Sequence, residues 1–444
     1  MLFCALTLSA QTAYELIDED IGRVAGHYHH YEAPAPDTLA YPEGCQPFYI
    51  SHYGRHGCRW HTSSLVYRRP IAPLEKAEKD NILTARGKAL LETLRFIAAD
   101  AEGRGGELTP RGVREHRGIA ERMYRNYPEV FESREGISPK IESRSTDVPR
   151  CILSMCAFNE RLKELDPSLQ MSRTAYKRDL GYMINRQGAK KISSQAKAEC
   201  ERVQRLWLQP ERFLSTLLKD KDYPISEPEK LMYHVFQIAS IMQDTDYLEL
   251  SLFEYFTPEE LDALWRCENA YVYLTLGPSL EFGASTIPDA IPLLKQMIAD
   301  ADAVLRGESP VCASLRFGHD QALVPLYALM GIEGTSDRVC AEDADKVWNV
   351  STVTPMGTNL QWIFFRANDI VPDGSVLPHE KADDSVPDEC ALHHGKADET
   401  VRAGSVKVRV LHNEKDAQLP ISGAPYYDWN ELRSYLLERC EEFK

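Results

Sequence analysis

An imidazole between two guanidiniums, at Arg55-His56-Gly57-Cys58-Arg59, is the first place in this chain where residue types and spacing could do chemistry. Arginine presents planar, forked donors that match phosphate oxygens. Two such cations beside a histidine favour the neutral imidazole, whose lone pair can attack phosphorus. A second constellation, Ser145-Thr146-Asp147-Val148-Pro149-Arg150, puts a further arginine at the start of a helix. The amides of a helix N-terminus already favour an anion. The third is Phe317-Gly318-His319-Asp320. A carboxyl group there can donate a proton to a leaving alkoxide, a role worth roughly 10²–10⁴ in rate. Taken singly, each string has a plainer reading: a basic turn, a helix start, a surface hydrogen-bonded pair.

Together and in this order, the three motifs resemble those of the histidine acid phosphatases, the branch of the histidine phosphatase superfamily that includes phytases. Arg55 to Arg59 resembles the family's Arg-His-Gly-x-Arg signature, Ser145 to Arg150 its Ser-Thr-Asp-Val-x-Arg segment, and His319-Asp320 its His-Asp pair. Leu108-Thr109-Pro110-Arg111-Gly112 also fits. The likeness runs from about residue 45 to 413 and is weakest in the middle of the chain and in a late acidic insert.

The resemblance implies roles. His56 is the nucleophile that becomes phosphohistidine. Arg55, Arg59 and Arg150 clamp the phosphoryl oxygens, with His319 as a further donor. Asp320 protonates the leaving oxygen and then helps activate the hydrolytic water. Arg144 is a near miss for the third clamp, because spacing to the Thr-Asp-Val segment favours Arg150. Cys58 reads as spacing, not as a second nucleophile. Fixed donors of this kind neutralise the charge that Mg²⁺ neutralises elsewhere, so neither a metal nor another cofactor is implied. The surroundings look like the multiple inositol polyphosphate phosphatase group, which usually has His-Ala-Glu. Bacterial and fungal phytases carry His-Asp-Thr-Asn. Here His319-Asp320-Gln321-Ala322 departs from both, which leaves the preferred phosphate position open. Inositol polyphosphates such as phytate are the implied substrates. A broad-specificity phosphatase of small phosphomonoesters and a non-catalytic phosphate-binding relative are the alternatives. A sugar-phosphate mutase is disfavoured by the large middle region and the His-Asp pair.

The elements that must position these residues are readable in part. Phe48 to Tyr53 is a strong strand running into the first motif, and Ala313 to Gly318 is one ending at His319. Lys140 to Ser143, Trp362 to Ala367 and Val406 to His412 read as further strands. Thr84 and Thr109 suit helix N-caps and Pro110 a first helical position. Cys151 to Leu165, Leu206 to Leu218, Leu231 to Gln243 and Pro258 to Leu274 have helical spacing. The pattern is an α/β fold: a mixed central sheet flanked by helices, in segments 41–158 and 306–444. An all-α cap at 159–305 interrupts it.

Charge and length bound the rest. The chain has 444 residues and a net charge of −16, so bulk charge will not track nucleic acid. No apolar run approaches the ~20 residues of a transmembrane helix. Residues 1–10 resemble the apolar core of a secretory signal without its basic start, giving the expectation of an exported, periplasmic or secreted protein. Without Cys4 ten cysteines remain, and an exported protein could pair some of them. Residues 369–399 carry nine acids and read as a solvated loop.

Against this acidic background, residues 173–191 carry a net +5 from Arg173, Lys177, Arg178, Arg186, Lys190 and Lys191. They read either as a rim for the extra phosphates of a polyphosphorylated substrate or as a solvated helix. Arg68 and Arg69 form a similar candidate pair. Gly26-His27-Tyr28-His29-His30, with no carboxylate at ligand spacing, reads as a surface strand or loop and not as a metal site.

Overall fold

The computed structural model describes Glu15 and residues 18–36, 40–133, 138–177, 181–367 and 406–444. The apolar opening and the acidic insert therefore lie outside the described residues.

Eight strands form one mixed sheet: β1 (Cys45–Arg55), β2 (Lys140–Ser145), β3 (Gln170–Thr174), β4 (Val311–Gly318), β5 (Asn359–Ala367), β6 (Lys407–His412), β7 (Lys415–Asp416) and β8 (Tyr426–Asp428). Their order is β3-β2-β4-β1-β5-β6-β7, with β8 also paired to β6. From β3 to β1 all neighbours are parallel. From β1 onward they are antiparallel. The central strands are buried on both faces, β1 without interruption from Tyr49 to Arg55, as expected where helices cover both sides.

The main helices are α1 (Ile71–Lys79), α2 (Ala85–Asp100), α3 (Pro110–Asn126), α4 (Pro149–Leu165), α5 (Gln187–Trp207), α6 (Glu211–Leu217), α7 (Pro228–Ser240), α8 (Pro258–Thr275), α9 (Ile291–Leu305), α10 (Asp320–Met330) and α11 (Trp429–Glu442). The Thr84 and Thr109 side chains accept from Gly87 N and Gly112 N as N-caps. On one face of the sheet, Ile119 and Met123 of α3 and Phe158 and Leu162 of α4 pack on Ile141, Leu315, Phe317 and Ile363. On the other face, α9, α10 and α11 pack on Tyr49, Tyr53, Trp362 and Phe364. Alternation along each strand decides which side chain faces which layer.

The middle of the chain departs from the expected strand-free cap at both ends. Gln170–Thr174 joins the sheet as its edge strand, parallel to β2. At the other end, α9 is tied to the core: Asp300 pairs with Arg144 and Arg316, and Asp302 with Arg433. The helical period from Leu206 to Leu218 is broken, because Pro210 cannot continue a helix, so α5 ends at Trp207 and α6 starts at Glu211.

Candidate active site

Strand register brings the three motifs to one level. Arg55 of β1 pairs with Gly318 of β4, and Ser145 of β2 pairs with Phe317. Their carboxyl ends thus emerge side by side, where ligands bind in α/β sheets. Backbone bonds lock the level: His56 N donates to Gly318 O at 2.9 Å, and Thr146 N to Phe317 O at 3.0 Å. Gly318 is required by space, since a Cβ there would lie 2.0 Å from the Tyr53 hydroxyl.

His56 is buried, and its Nδ1 lies 2.9 Å from Gly57 O. A carbonyl accepts, so Nδ1 carries the proton and Nε2 the lone pair. The His319 ring stands 5.7 Å away, edge-on, with its Nε2 3.1 Å from Thr146 Oγ1. Arg55 is fully buried. Its Nη1 donates to His27 O at 2.7 Å and to Thr354 O at 2.8 Å, while its Nη2 pairs with Asp320 Oδ2 at 3.0 Å. Arg59 Nη1 donates to Trp60 O at 3.0 Å. Arg150 stands in the first turn of α4. The buried Nε atoms of Arg55, Arg59 and Arg150 have no protein acceptor among the described residues. Buried donors are normally paired, and Arg59 and Arg150 line one cleft, so their unpaired donors fit an anion there. Arg144, by contrast, is spent on Asp300 and Glu142.

The electrostatics follow from burial among cations. Burial, then the charges of Arg55, Arg150 and Arg59, hold the His56 imidazole well below its ordinary value, so it is neutral. Burial and then Arg150 bring His319 down to about 4. For Asp320 burial pushes upward, but Arg55, His27 and His319 overcome it and hold the carboxyl well below the usual range. Cys58 is no nucleophile: its thiol donates to Glu115 Oε1 at 2.9 Å and lies 3.2 Å from Asp244 Oδ1. Burial and those two carboxylates push its titration far up.

A cleft of about 1160 Å³ opens from this centre toward the helical insert. His56, Arg59, Arg150, His319 and Asp320 line it. Of the expected rim, Arg69 and Arg186 are on its wall. Arg68 is not, being exposed and paired with Glu102 at 2.8 Å. Lys177 is exposed away from the cleft wall, and Arg178 lies outside the described residues. The reason is helical geometry. The chain from 173 to 177 leaves the sheet edge, and α5 turns one stripe to the cleft, Ala189, Ser193, Lys197 and Gln204, as spacings of three and four dictate. Lys190 and Lys191 fall off that stripe. The wall cations missed by sequence are Lys76, Lys197 and Lys230, isolated residues with no local signal.

The histidine-rich opening is likewise corrected. Ile21–Tyr28 is a short 3₁₀ helix, and His27 and His29 are buried, not on a surface loop. The fold also supplies the carboxylate that spacing lacked: ligand-type atoms of Asp20, His29 and His30 lie within 4.8 Å of one another. Gln243 Oε1 occupies both imidazoles, at 3.1 Å from His29 and 2.7 Å from His30. Cys45, Cys58, Cys151, Cys156, Cys200, Cys267, Cys340 and Cys440 are in no disulfide among the described residues. Cys58 and Cys151 are instead engaged by Glu115 and by Gly318 O. Among the described residues no helix is long and apolar enough to cross a membrane.

No family model matches the sequence, and no curated protein matches it. Solved structures do match in shape. The apo multiple inositol polyphosphate phosphatase of Bifidobacterium longum matches with a TM-score of 0.74 at 19% identity, over 93% of this chain and 97% of that one. This is the histidine acid phosphatase fold. The complexes of that same enzyme with phosphate and with inositol hexasulfate match at 0.74 and 0.73. The phytase of D. castellii matches at 0.65 and 13% identity, over 94% of this chain and 85% of that one.

Proposed function

We propose that this protein hydrolyses phosphate monoesters through a phosphohistidine on His56, with inositol polyphosphates such as phytate as substrates. The observation that carries this is a neutral, buried His56 whose Nε2 holds the lone pair, under the charges of Arg55, Arg150 and Arg59, whose buried Nε atoms have no acceptor among the described residues. Arg55, Arg59, Arg150 and His319 hold the phosphoryl oxygens. His56 Nε2 attacks phosphorus as the ester bond breaks. Asp320, at the start of α10, delivers the proton to the leaving oxygen. A bound phosphoryl dianion competes with Asp320 for Arg55 and, as a like charge, raises the carboxylate's proton affinity. Fixed donors that match the charge of the transition state supply the acceleration.

The substrate class is supported by the cleft and by the neighbours. Arg69, Lys76, Arg186, Lys197 and Lys230 add cations beyond the three that hold one phosphoryl group. One structural neighbour is an inositol polyphosphate phosphatase seen with phosphate and with inositol hexasulfate. The test is phosphate release from phytate and from p-nitrophenyl phosphate, with acid-labile phosphoenzyme trapped by rapid quench. His56→Ala should abolish both turnover and trapping while the circular dichroism spectrum persists. Turnover by that variant near the wild-type rate would end the proposal.

A further inference from the structure

The side-chain amide of Gln243, in the turn after α7, has a fixed orientation. Its NH₂ group donates to Gly22 O at 3.0 Å and to Ser240 O at 3.1 Å. Its Oε1 is thereby turned toward two imidazoles, 3.1 Å from His29 Nδ1 and 2.7 Å from His30 Nδ1. His29 is 2% exposed. Its other nitrogen, Nε2, lies 2.9 Å from Glu32 Oε1. A carboxylate accepts, so Nε2 carries a proton, and on a neutral ring Nδ1 then holds a lone pair. That lone pair faces the Gln243 oxygen, a second acceptor. A cation relieves such a contact: either a proton, which makes the ring an imidazolium, or a metal ion.

Two further observations favour the metal ion. The first is the number of donors, since a proton bridges only two atoms. Ligand-type atoms of Asp20, His29 and His30 lie within 4.8 Å of one another. The Asp20 carboxylate and the Gln243 amide also meet over Gly22, where a Cβ would stand 3.1 Å from both Asp20 Oδ1 and Gln243 Oε1. The second is Glu32. Metal-ligating histidines commonly donate their remaining N–H to a carboxylate, which fixes the tautomer and the ring plane. Glu32 is itself held by Arg23, at 2.9 and 2.8 Å. Ligands at about 2.0–2.2 Å from a tetrahedral ion stand roughly 3.3–3.6 Å apart. The contacts at 2.7 and 3.1 Å need open by less than an ångström to admit one.

We propose that Asp20, His29, His30 and Gln243 bind one divalent transition-metal ion of the Zn²⁺ class. Two imidazole nitrogens, a carboxylate and an amide oxygen make a four-ligand set suited to a structural ion. None of the four residues lines the cleft, so the inference is independent of the phosphatase reading and gives the ion no part in that chemistry. The ion clips the ends of the Ile21–Tyr28 segment to the turn after α7. Asp244, next in that turn, contacts Cys58 Sγ and Arg59 N, so the clip also braces the loop that carries His56.

The test uses the full chain without a polyhistidine tag, stripped with EDTA and titrated with Zn²⁺ in a calorimeter. The wild type should bind one equivalent, and its Tm should rise with Zn²⁺. Even an orienting partner of a ligand is commonly worth about 10–100-fold in affinity, so Asp20→Asn and His30→Ala should each weaken binding by at least about tenfold. Asp20→Asn keeps a side-chain oxygen to cap Gly22 N, and it decides the matter if His30→Ala does not fold. Co²⁺ bound to the wild type should show d–d bands without the charge-transfer band of a thiolate ligand. A wild type that binds no Zn²⁺, an affinity unchanged in Asp20→Asn, or a thiolate band would overturn the inference and leave a hydrogen-bonded histidine cluster.

Discussion

Gly57 and Gly112 lie so close that a Cβ on Gly57 would stand 2.5 Å from the Gly112 carbonyl oxygen, and one on Gly112 2.4 Å from that of Cys58. Both obstacles are backbone, which cannot swing aside as a side chain can. The loop bearing His56 therefore rests on the first turn of α3, where Thr109 N also donates to Cys58 O at 2.9 Å. Gly112→Ala should destabilise the protein by ~1–3 kcal/mol, the usual range for forced overpacking, and should lower kcat by displacing the nucleophile. Gly181→Ala, where nothing stands within 4 Å of the added carbon, is the control. Urea midpoints and kcat for both variants decide the matter. Equal behaviour would show that the close approach does not hold the loop.

The cleft wall predicts a substrate-selective loss. Arg69 and Lys197 stand on it and are not among the three arginines proposed to hold one phosphoryl group. Removing both by alanine should lower kcat/KM for phytate by at least about tenfold, as charged hydrogen bonds are worth ~1.5–3 kcal/mol each. Turnover of p-nitrophenyl phosphate should be nearly unchanged, and the phytate loss should shrink as salt screens the rim. Lys177→Ala should change neither substrate. An equal drop on both esters would mean the rim acts through the fold and not through phosphate contacts.

The contrast between Lys177 and Lys197 shows what the sequence could reveal. The three motifs are contiguous strings, and each sits at a strand end or helix start, so their chemistry and their level in the sheet were legible from local pattern. The N-caps at Thr84 and Thr109 were legible for the same reason. The cap wall was not. Its cations are single residues on α1, α5 and α7, and their common direction depends on how those helices pack. The run of charge at 173–191 is conspicuous in sequence, yet Arg186 is its one described member on the cleft wall. Asp20 and Gln243 lie far apart in the chain, and neither carries a local signal that they meet over Gly22. Strand β3 was missed because it is short, half-exposed and polar, as an edge strand can be.

His56 should remain a competent nucleophile in acid. Burial, and then Arg55, Arg150 and Arg59, depress its proton affinity far below that of an ordinary histidine. A depressed imidazole stays neutral, with its lone pair available, as pH falls through about 6.5. Rapid-quench trapping at a saturating aryl phosphate should therefore give a phosphoenzyme formation rate that holds between about pH 7 and pH 5. In Arg150→Ala one of these three charges is gone, so the acid side of that rate should fall at higher pH than in the wild type. A wild-type rate that declines with an ordinary histidine midpoint would show that the cluster does not control His56.

The same burial makes the fold sensitive to acid at a place remote from substrate. His52 is fully buried beneath the site, with neither ring nitrogen bonded to a described residue. Burial first, then the charges of His116 and Arg316, bring it down to about 3. Burial brings its neighbour His116 down to about 4. In the unfolded chain both would titrate near 6.5. Below that pH the unfolded state binds protons that the folded state refuses, so stability is complete above about 6.5 and falls as pH drops toward 4. At about pH 5 each histidine removes roughly 2 kcal/mol relative to neutrality. His52→Phe keeps an aromatic ring against Phe158 and Phe317, which lie 5.4 Å from the imidazole between centroids, and it cannot take up a proton. Urea denaturation at neutral pH and near pH 5 should show the variant losing less stability than the wild type, by roughly 2 kcal/mol. Identical losses in the two proteins would show that His52 does not carry this part of the acid sensitivity.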